Sequence, residues 1–302
     1  MRDADASNPA TKETQLHAHA ATGSSPATRP LDPRHFIGSF QGQPRSVAHG
    51  GQATYAGHVL TALLPRSVVE TVIPPAFALA GHAGGATDHP VLVMLGWQRD
   101  CSAVISGTAH RLPLQPDYRE LIILVPYVVA RGGGHPQWHN FVVRMFLTDV
   151  PPILIGTLFQ YSKTAGDFND TTVCGAPGTE VRHGSGSGAM VFACAIESQQ
   201  AFGPPADATG FDDLVDLLKM PILGIQYPPT PPLPPQQCSY FEWETAASEV
   251  ATINRAAVQF HAPLRPGMLG WHGFWMDADP SASFSVRSVR WRLESTPPAC
   301  SF

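Results

Sequence analysis

The stretch FVVRMFLTDVPPILIGTLFQYSKTAGDFN, from Phe141 to Asn169, decides how the rest of this chain is interpreted. Two apolar runs rich in β-forming residues, Phe141–Leu147 and Ile153–Phe159, flank a turn at residues 149–152 that contains two prolines. Lys163 follows shortly after the second run. The pattern predicts a pair of strands that presents one amine at its tip.

Lysine is scarce in this chain. The lysines are Lys12, Lys163 and Lys219, and the rest of the 19 basic residues are arginine. Lysine can lose its proton and form an imine, whereas arginine can do neither. An ordinary lysine side chain, with a pKa of ~10.4, is neutral in about one molecule in 2,500 at pH 7, and burial lowers that pKa by up to ~3–5 units. Lys163 is therefore either a nucleophile in an apolar cavity or a lysine that reaches water from a strand end.

The composition favours a soluble, sheet-rich protein. Hydrophobic residues make up 43% of the chain and charged residues 14%, against an average of about 25% charged. The 30 prolines and 27 glycines suit many short strands joined by turns. A net charge of −5 gives no basic surface for nucleic acid. With no signal peptide, no membrane-spanning run and five scattered cysteines, a cytoplasmic protein with free thiols is expected.

The element pattern predicts a disordered tail at 1–32 and one domain at 33–302. A helix is predicted at 65–73 and a second at Phe211–Met220, and a polar connection at Gly175–Gly188. Residues 228–235 (PPTPPLPP) predict a stiff connector rather than an SH3 ligand. The predicted strands outside the central stretch are Val91–Trp97, Tyr118–Ala130, Ala189–Glu197 and Ser283–Leu293, the last with a bulge between Val286 and Val289.

Two motifs suggest a metal site and a phosphate site, but the residues around them do not support either site. His135 and His139 have the spacing of a helical metal pair, but three glycines and Pro136 preclude that helix, and no metal site is predicted. The Gly184–Gly188 segment precedes a strand, whereas phosphate loops follow a strand and open a helix. The aromatic cluster at Trp271–Trp275 is interpreted as core, with a pocket wall as the alternative.

Residues around Lys163 resemble the signature of the acetoacetate decarboxylase superfamily. In that family a segment of the form ϕGRExxxYPKK carries the lysine that forms a Schiff base, and Ile155–Thr164 is similar to it, with the Tyr-x-Lys spacing intact. The segment Val72–Phe77 is similar to the family's VVPEPL turn, and Tyr118-Arg119-Glu120 to its Tyr-x-Glu segment. The likeness extends over roughly residues 65–293.

The resemblance implies a fold, a chemistry and a set of site residues. The fold would be all-β with few helices: a closed, cone-shaped antiparallel β-barrel around an internal cavity. Lys163 would form the imine and Glu120 would shuttle protons. The chain departs from the family pattern at Thr164, where the second lysine of the signature pair is replaced, and at Thr157-Leu158, where the signature has Arg-Glu. Five further residues are expected to contact substrate: Tyr161, Tyr118, Phe159, Trp97 and Arg144.

Two hypotheses of different classes follow. The first is a cofactor-independent lyase that forms a Schiff base with a keto substrate, in specialised metabolism, with decarboxylation, aldol or dehydration chemistry to follow. Because the cations of the family signature are missing, a larger and less polar ketone or aldehyde is expected. The second is a β-barrel that binds a small molecule without covalent chemistry, with Lys163 as a positive hydrogen-bond donor. The resemblance also implies a homo-oligomer.

Overall fold

Most of the described chain is β-strand. The computed structural model describes residues 49–80, 87–105, 111–113, 117–131, 138–148, 163–184, 188–224, 237–261 and 275–296. Within them, the strands form one 14-stranded sheet. Its strands are β1 (His49–Pro65), β2 (Phe77–Leu79), β3 (Asp88–Ile105), β4 (Arg111–Pro113), β5 (Tyr118–Ala130), β6 (His139–Leu147), β7 (Lys163–Val173), β8 (Ala176–His183), β9 (Met190–Gln199), β10 (Ile222–Gly224), β11 (Gln237–Glu244), β12 (Glu249–Phe260), β13 (Trp275–Asp277) and β14 (Phe284–Thr296). The helices are α1 (Arg66–Glu70) and α2 (Phe211–Leu218), with a 3₁₀ turn at Pro205–Asp207.

The strand pairings close on themselves. Going round, β5 pairs with β6, β6 with β10, β10 with β11, β11 with β14, β14 with β1, β1 with β3, and β3 with β5. The strands β7, β8, β9 and β12 connect β6 back to β14 on the outside of this ring. The β-dominated prediction is confirmed, and the ring gives the fold an inside.

The sheet is mostly antiparallel, which corrects the fully antiparallel sheet of the prediction. The strand β6 pairs in parallel with both β7 and β10. Parallel neighbours require a long connection between them, and residues 148–162 separate β6 from β7. Lys163 therefore begins a strand in the described chain, whereas the sequence placed it after the end of one.

Alternate residues of the central strands belong to two different cores. On β5, Leu121, Ile123 and Val125 pack in one hydrophobic cluster, while Ile122 and Leu124 pack in another. Strand side chains point alternately to opposite faces, so a strand buried on both faces appears in sequence as a continuous apolar run. Farther along the same strands, this alternation also points neighbouring polar side chains to opposite faces of the sheet. It therefore decides which of them line the candidate site.

A bulge accommodates the proline of β5. The pairing of β5 with β6 shifts register between Val125 and Val128, and Tyr127 has a φ of 58°. Proline cannot donate to a strand ladder and is tolerated where the ladder is interrupted. The free carbonyl of Pro126 accepts a hydrogen bond from His89 Nε2 at 2.8 Å.

Helix α2 packs against the ring through its apolar face. Leu214, Val215, Leu217 and Leu218 are buried, and the preceding Gly210 has a φ of 85°, a left-handed conformation that favours glycine. The side-chain amide of Asn140, on β6, donates to the carbonyl of Leu217 at 2.9 Å. This bond satisfies one of the carbonyls that a helix C-terminus leaves without a partner.

Most predicted elements are confirmed, and one is wrong. The strands predicted at Val91–Trp97, Tyr118–Ala130, Ala189–Glu197 and Ser283–Leu293 and the helices at 65–73 and Phe211–Met220 correspond to β3, β5, β9, β14, α1 and α2. The polar connection at Gly175–Gly188 is instead mostly strand β8, which hydrogen-bonds to β7 and β9 on either side.

The bulge in β14 is confirmed. Tyr55 pairs with Val289 and Gly57 with Val286, so two residues of β14 face one of β1, and Ser288 has a φ of 57°. The predictions for residues 1–32, Ile153–Phe159, 228–235, His135 and 271–274 lie outside the described residues.

Among the described residues, no helix is long and apolar enough to cross a bilayer. The same residues contain no group of three or more His, Cys, Asp or Glu side chains arranged to hold a metal ion.

Candidate active site

An apolar cavity of about 80 Å³, counted as the space open to the centre of a water molecule, lies inside the ring of strands. A single water molecule needs roughly 10–15 Å³ on this measure, so the cavity has room for a small organic molecule. Its walls come from all seven ring strands, from β7 and from helix α2. The lining residues are Gly50, Gly51, Gln52, Met94, Gln98, Cys101, Ser102, Ala103, Tyr118, Glu120, Ile122, Leu124, Val142, Met145, Lys163, Leu218, Ile222, Phe241, Trp243, Trp291 and Leu293.

Lys163 enters this cavity from the first position of β7. Its Cα partner across the parallel ladder is Met145, which also lines the cavity. The Lys163 side chain is 11% exposed, and its Nζ lies 3.7 Å from Glu120 Oε1. This separation exceeds the length of a hydrogen bond, so the two groups form an ion pair with room for a small shift of either side chain.

Glu120 is held from its other side by a chain of two hydrogen bonds. Trp291 Nε1 donates to Gln98 Oε1 at 2.8 Å, and Gln98 Nε2 donates to Glu120 Oε2 at 3.1 Å. An indole nitrogen is a donor only, so it fixes the orientation of the Gln98 amide. The Glu120 oxygen that receives the amide must be an acceptor. The bond to Oε2 therefore favours Oε1, the oxygen nearest Lys163, as the position of any proton that Glu120 carries.

Burial raises the pKa of Glu120 above its ordinary value of 4.5, and the nearby Lys163 and the Gln98 hydrogen bond oppose this rise. Two neighbours of Glu120 stay protonated at neutral pH. Burial, followed by the Glu120 charge, raises the pKa of Tyr118 well above 10 and that of Cys101 to about 12. The site therefore contains a buried carboxyl with a raised pKa next to an amine, which is a recurrent feature of acid–base sites.

Three aromatic side chains form one wall of the cavity. The rings of Phe241 and Trp243 are stacked, with centroids 5.8 Å apart and an interplanar angle of 21°, and Trp291 lies 5.3 Å from Phe241. Trp243 Nε1 donates to the carbonyl of Leu218 at 3.4 Å, outside the cavity space. The wall therefore offers aromatic surface, and both of its indole N–H groups already donate to acceptors in the protein.

No protein-family sequence profile matches the chain, and no curated protein matches it in sequence. Solved structures, in contrast, match the chain when their folds are superposed on it. Acetoacetate decarboxylase from Legionella pneumophila superposes with a TM-score of 0.52 at 13% identity, covering 90% of this chain and 97% of that one. An acetoacetate decarboxylase-like enzyme from Sphingomonas wittichii superposes with a TM-score of 0.51 at 11% identity, covering 85% and 94%. The enduracididine biosynthesis enzyme MppR, with HEPES bound, gives a TM-score of 0.50 at 14% identity, covering 92% and 96%.

The chain has the acetoacetate decarboxylase-like fold. This confirms, at the level of fold, the resemblance noted around Lys163 and Glu120 in the sequence. The likeness spans nearly the full length of these solved structures.

The acetoacetate decarboxylase-like fold brings together some of the predicted site residues. Lys163, Glu120 and Tyr118 all line the cavity. Phe159 and Tyr161 lie outside the described residues. Trp97 and Arg144 do not line this cavity.

Trp97 lies on the opposite face of β3 from the cavity, and its neighbour Gln98 takes the place on the inner face. Arg144 is likewise absent from the cavity wall. Its guanidinium donates to Thr164 Oγ1 instead. A cation thus contacts the residue that replaces the second lysine of the family signature, on the strand position next to Lys163.

Trp97 lines a second concavity, an outer groove of about 680 Å³ on the other face of the sheet. Arg119 lies in it, paired with Asp170 at 2.7 Å. His58 lies there too, and its Nδ1 is 2.8 Å from Ser285 Oγ. The groove and the cavity are back to back, since Arg119 and Glu120 are consecutive residues of one strand.

Sequence reasoning missed Gln98, Phe241, Trp243 and Trp291. A signal for Gln98 was present, because alternation from the buried Leu92 and Met94 places residue 98 on the same face as them. For the three aromatic residues there was none, since they come from β11 and β14, far along the chain from β5 and β7.

Proposed function

We propose that this chain is a cofactor-independent carbon–carbon lyase in which Lys163 forms a Schiff base with a carbonyl substrate. The observation that carries the proposal is the Lys163 amine itself: it is 11% exposed, opens onto an apolar cavity and lies 3.7 Å from a buried carboxyl. We further propose that the ring of strands is the closed, cone-shaped barrel of the family resemblance.

The first step needs a neutral amine. Burial raises the pKa of Glu120, which favours a neutral carboxyl, so that transfer of a proton from the ammonium to Oε1 leaves both groups uncharged. The nitrogen lone pair of Lys163 then attacks the substrate carbonyl carbon and forms a C–N bond. The carbonyl oxygen takes the proton that the attacking nitrogen loses and becomes a hydroxyl. Protonation of that hydroxyl by Glu120 lets it leave as water, and a protonated imine results.

The protonated imine accepts the electron pair of the bond that breaks. Cleavage of the bond between the α-carbon and its substituent sends that pair into the C=N bond and produces an enamine. Protonation of the enamine carbon and hydrolysis by water release the product and return the amine. Glu120 is suited to these proton transfers because its Oε1 lies next to Lys163, while Gln98 donates to its other oxygen.

Borohydride trapping tests the proposal, and the chain supplies its own reference lysine. With acetone as probe, reduction of the imine leaves an isopropyl group on the lysine that formed it, which peptide mass spectrometry locates. Lys219 is also paired with a carboxylate, at 3.0 Å from Asp216, but its side chain is 46% exposed. We expect Lys163 to be labelled at least about tenfold faster than Lys219 at pH 7, and Lys163→Arg to lose this label while Lys219 keeps its own. Equal labelling of the two lysines would refute the proposal.

A second candidate function is non-covalent binding of a small molecule in the same cavity. The ion pair with Glu120 favours it, since a charged ammonium donates hydrogen bonds and is not a nucleophile. Lys163→Arg separates the two functions. The variant keeps a cation and its donors, so it would retain ligand affinity under simple binding and lose all imine chemistry under the proposed lyase function.

A further inference from the structure

We infer that the substrate of the proposed lyase is an uncharged aromatic ketone or aldehyde, and that the bond cleaved is an aldol-type C–C bond rather than one to a carboxylate. The inference rests on the proposed function of Lys163. It follows from three properties of the cavity: its charges, its hydrogen-bond donors and its aromatic wall.

The charges of the cavity are already balanced. Among the described residues that line it, Lys163 is the cation and Glu120 is the acid, and they pair with each other. Once the protonated imine has formed, Glu120 has given its proton to the departing water, so the carboxylate of a keto acid would be a second anion next to it. Two like charges about 5 Å apart, at an effective dielectric constant of about 20, disfavour each other by a factor on the order of 100. The Lys163 nitrogen can offset one of the two anions but not both.

The arginines nearest to the site in sequence serve other partners. Arg119 precedes Glu120 but faces the outer groove, where it pairs with Asp170 and lies over the Trp97 ring. Arg144 donates to Thr164. Neither guanidinium lines the cavity, so neither provides the bidentate contact that arginine typically makes with a carboxylate.

The two side-chain donors on the Glu120 side of the cavity are also committed. Trp291 donates to Gln98, and Gln98 donates to Glu120. A substrate carboxylate would therefore lose its hydration without gaining fixed donors from these groups, and a buried, poorly solvated anion is costly.

The surface that remains fits a flat apolar group. Phe241, Trp243 and Trp291 offer ring faces and edges along one wall, and Met94 and Met145 line the cavity with them. Aromatic pairs and methionine–aromatic contacts both add to the burial of apolar area. With the substrate carbonyl at Lys163, an aromatic ring attached within a few bonds would lie against this wall.

A substrate without a carboxylate has no carbon dioxide to lose, so the bond that breaks must be of another kind. In an aldol-type cleavage, the β-hydroxyl of the iminium adduct gives its proton to Glu120 as the Cα–Cβ bond breaks. The electron pair of that bond enters the C=N bond and gives the enamine, and the β-carbon leaves as an uncharged carbonyl compound. No additional anion is formed in the cavity at any point, and the reverse sequence of steps is an aldol addition.

A matched pair of ketones tests the inference. 4-Phenylbutan-2-one and 4-(3-oxobutyl)benzoic acid share their ring and ketone and differ by one carboxylate. In borohydride trapping at pH 7.5, we expect the neutral ketone to label Lys163 at least about tenfold faster than the acid, after each rate is divided by that of Lys219. Acetoacetate should label Lys163 more slowly than acetone does. In the Glu120→Gln protein the preference against the acid should fall by about tenfold, because the repelling charge is gone.

A second variant tests the aromatic wall. Trp243→Leu removes ring surface from this wall, so we expect it to slow labelling by 4-phenylbutan-2-one severalfold relative to labelling by acetone. Equal labelling of Lys163 by the neutral and the acidic ketone would overturn the substrate class while leaving the Schiff-base proposal intact. If no ketone labels Lys163 above the level of Lys219, the Schiff-base proposal fails and the substrate class fails with it.

Discussion

Replacing Gln98 with leucine should destabilise the protein by an amount that depends on pH. The side chain of Gln98 connects Trp291 to Glu120 through hydrogen bonds of 2.8 and 3.1 Å. Leucine has a similar volume but can neither accept from the indole nor donate to the carboxyl. The Gln98→Leu variant therefore leaves two buried polar groups without these partners, one of which ionises.

The expected cost follows from the two bonds. A neutral hydrogen bond contributes about 1 kcal/mol, and a bond to a charged group about 1.5–3 kcal/mol. The indole bond is lost at every pH, at a cost of about 1 kcal/mol. The bond to Glu120 costs about 1 kcal/mol when the carboxyl is protonated and about 2–3 kcal/mol when it is ionised. The variant should thus be less stable by about 2 kcal/mol where Glu120 is protonated and by about 3–4 kcal/mol where it is ionised.

The direction of this change follows from the pKa of Glu120. Burial raises that pKa in the folded state above its ordinary value of 4.5, so the folded protein binds this proton more tightly than the unfolded chain. The contribution of Glu120 to stability is then fully present below pH 4.5 and is lost as the pH rises through the folded-state pKa. Removing a hydrogen bond to the carboxylate raises that pKa further, so the loss becomes larger at alkaline pH.

Urea unfolding at pH 5 and pH 8.5 measures both values. Ser102→Ala is the matched control, because Ser102 also lines the cavity and its hydroxyl has no hydrogen-bond partner among the described residues. We expect this control to change stability by less than about 1 kcal/mol at both pH values. A Gln98→Leu penalty that is the same at pH 5 and pH 8.5, or smaller at pH 8.5, would refute the proposed bond to an ionising Glu120.

Three other substitutions test the structure away from the cavity, each by urea unfolding. Burial lowers the pKa of His58 from 6.5 to about 4, so its contribution to stability is present above pH 6.5 and is lost as the pH falls to 4. The wild-type protein should lose about 3 kcal/mol of unfolding free energy from this group over that interval. His58→Gln should flatten this dependence of stability on pH. Gly96→Ala should lower the free energy of unfolding by at least about 2 kcal/mol, since the added Cβ would lie 2.4 Å from the carbonyl oxygen of Ala56. A variant as stable as the wild type would contradict this close approach of the two strands. Asn140→Ala should cost about 1–3 kcal/mol by leaving the Leu217 carbonyl without its side-chain donor, and a pH-dependent loss would point to a different cause.

Local pattern was sufficient to predict most of the strands. The runs that became β3 and β5 are long and apolar, because each is buried over most of its length. Strand β9 has a shorter buried apolar run, and β14 alternates between buried apolar residues and exposed arginines. Pattern failed at β8, which contains several polar residues and whose glycine and proline are typical of a turn. That segment is a strand because β7 and β9 supply hydrogen-bond partners on both sides.

The site shows the same division between local and long-range information. The scarcity of lysine identified Lys163, and the motif likeness added Glu120. The sequence placed Trp97 at the site although its side chain lies in the outer groove, while Gln98, the next residue, faces the cavity. A shift of one residue along a strand moves a side chain to the other face of the sheet, and periodicity alone does not say which face surrounds a cavity.

The sequence by itself determined that the chain is rich in strands and that one lysine and one glutamate are candidates for carbonyl chemistry. The closure of the ring was decided only by tertiary structure. Closure sets the register between strands that are distant in the chain, and it brings Trp291 within 2.8 Å of Gln98 across 193 residues. The physical reason is that side-chain alternation is a local property of each strand, whereas the enclosed space, its charge balance and its aromatic wall exist only where the two ends of the sheet meet.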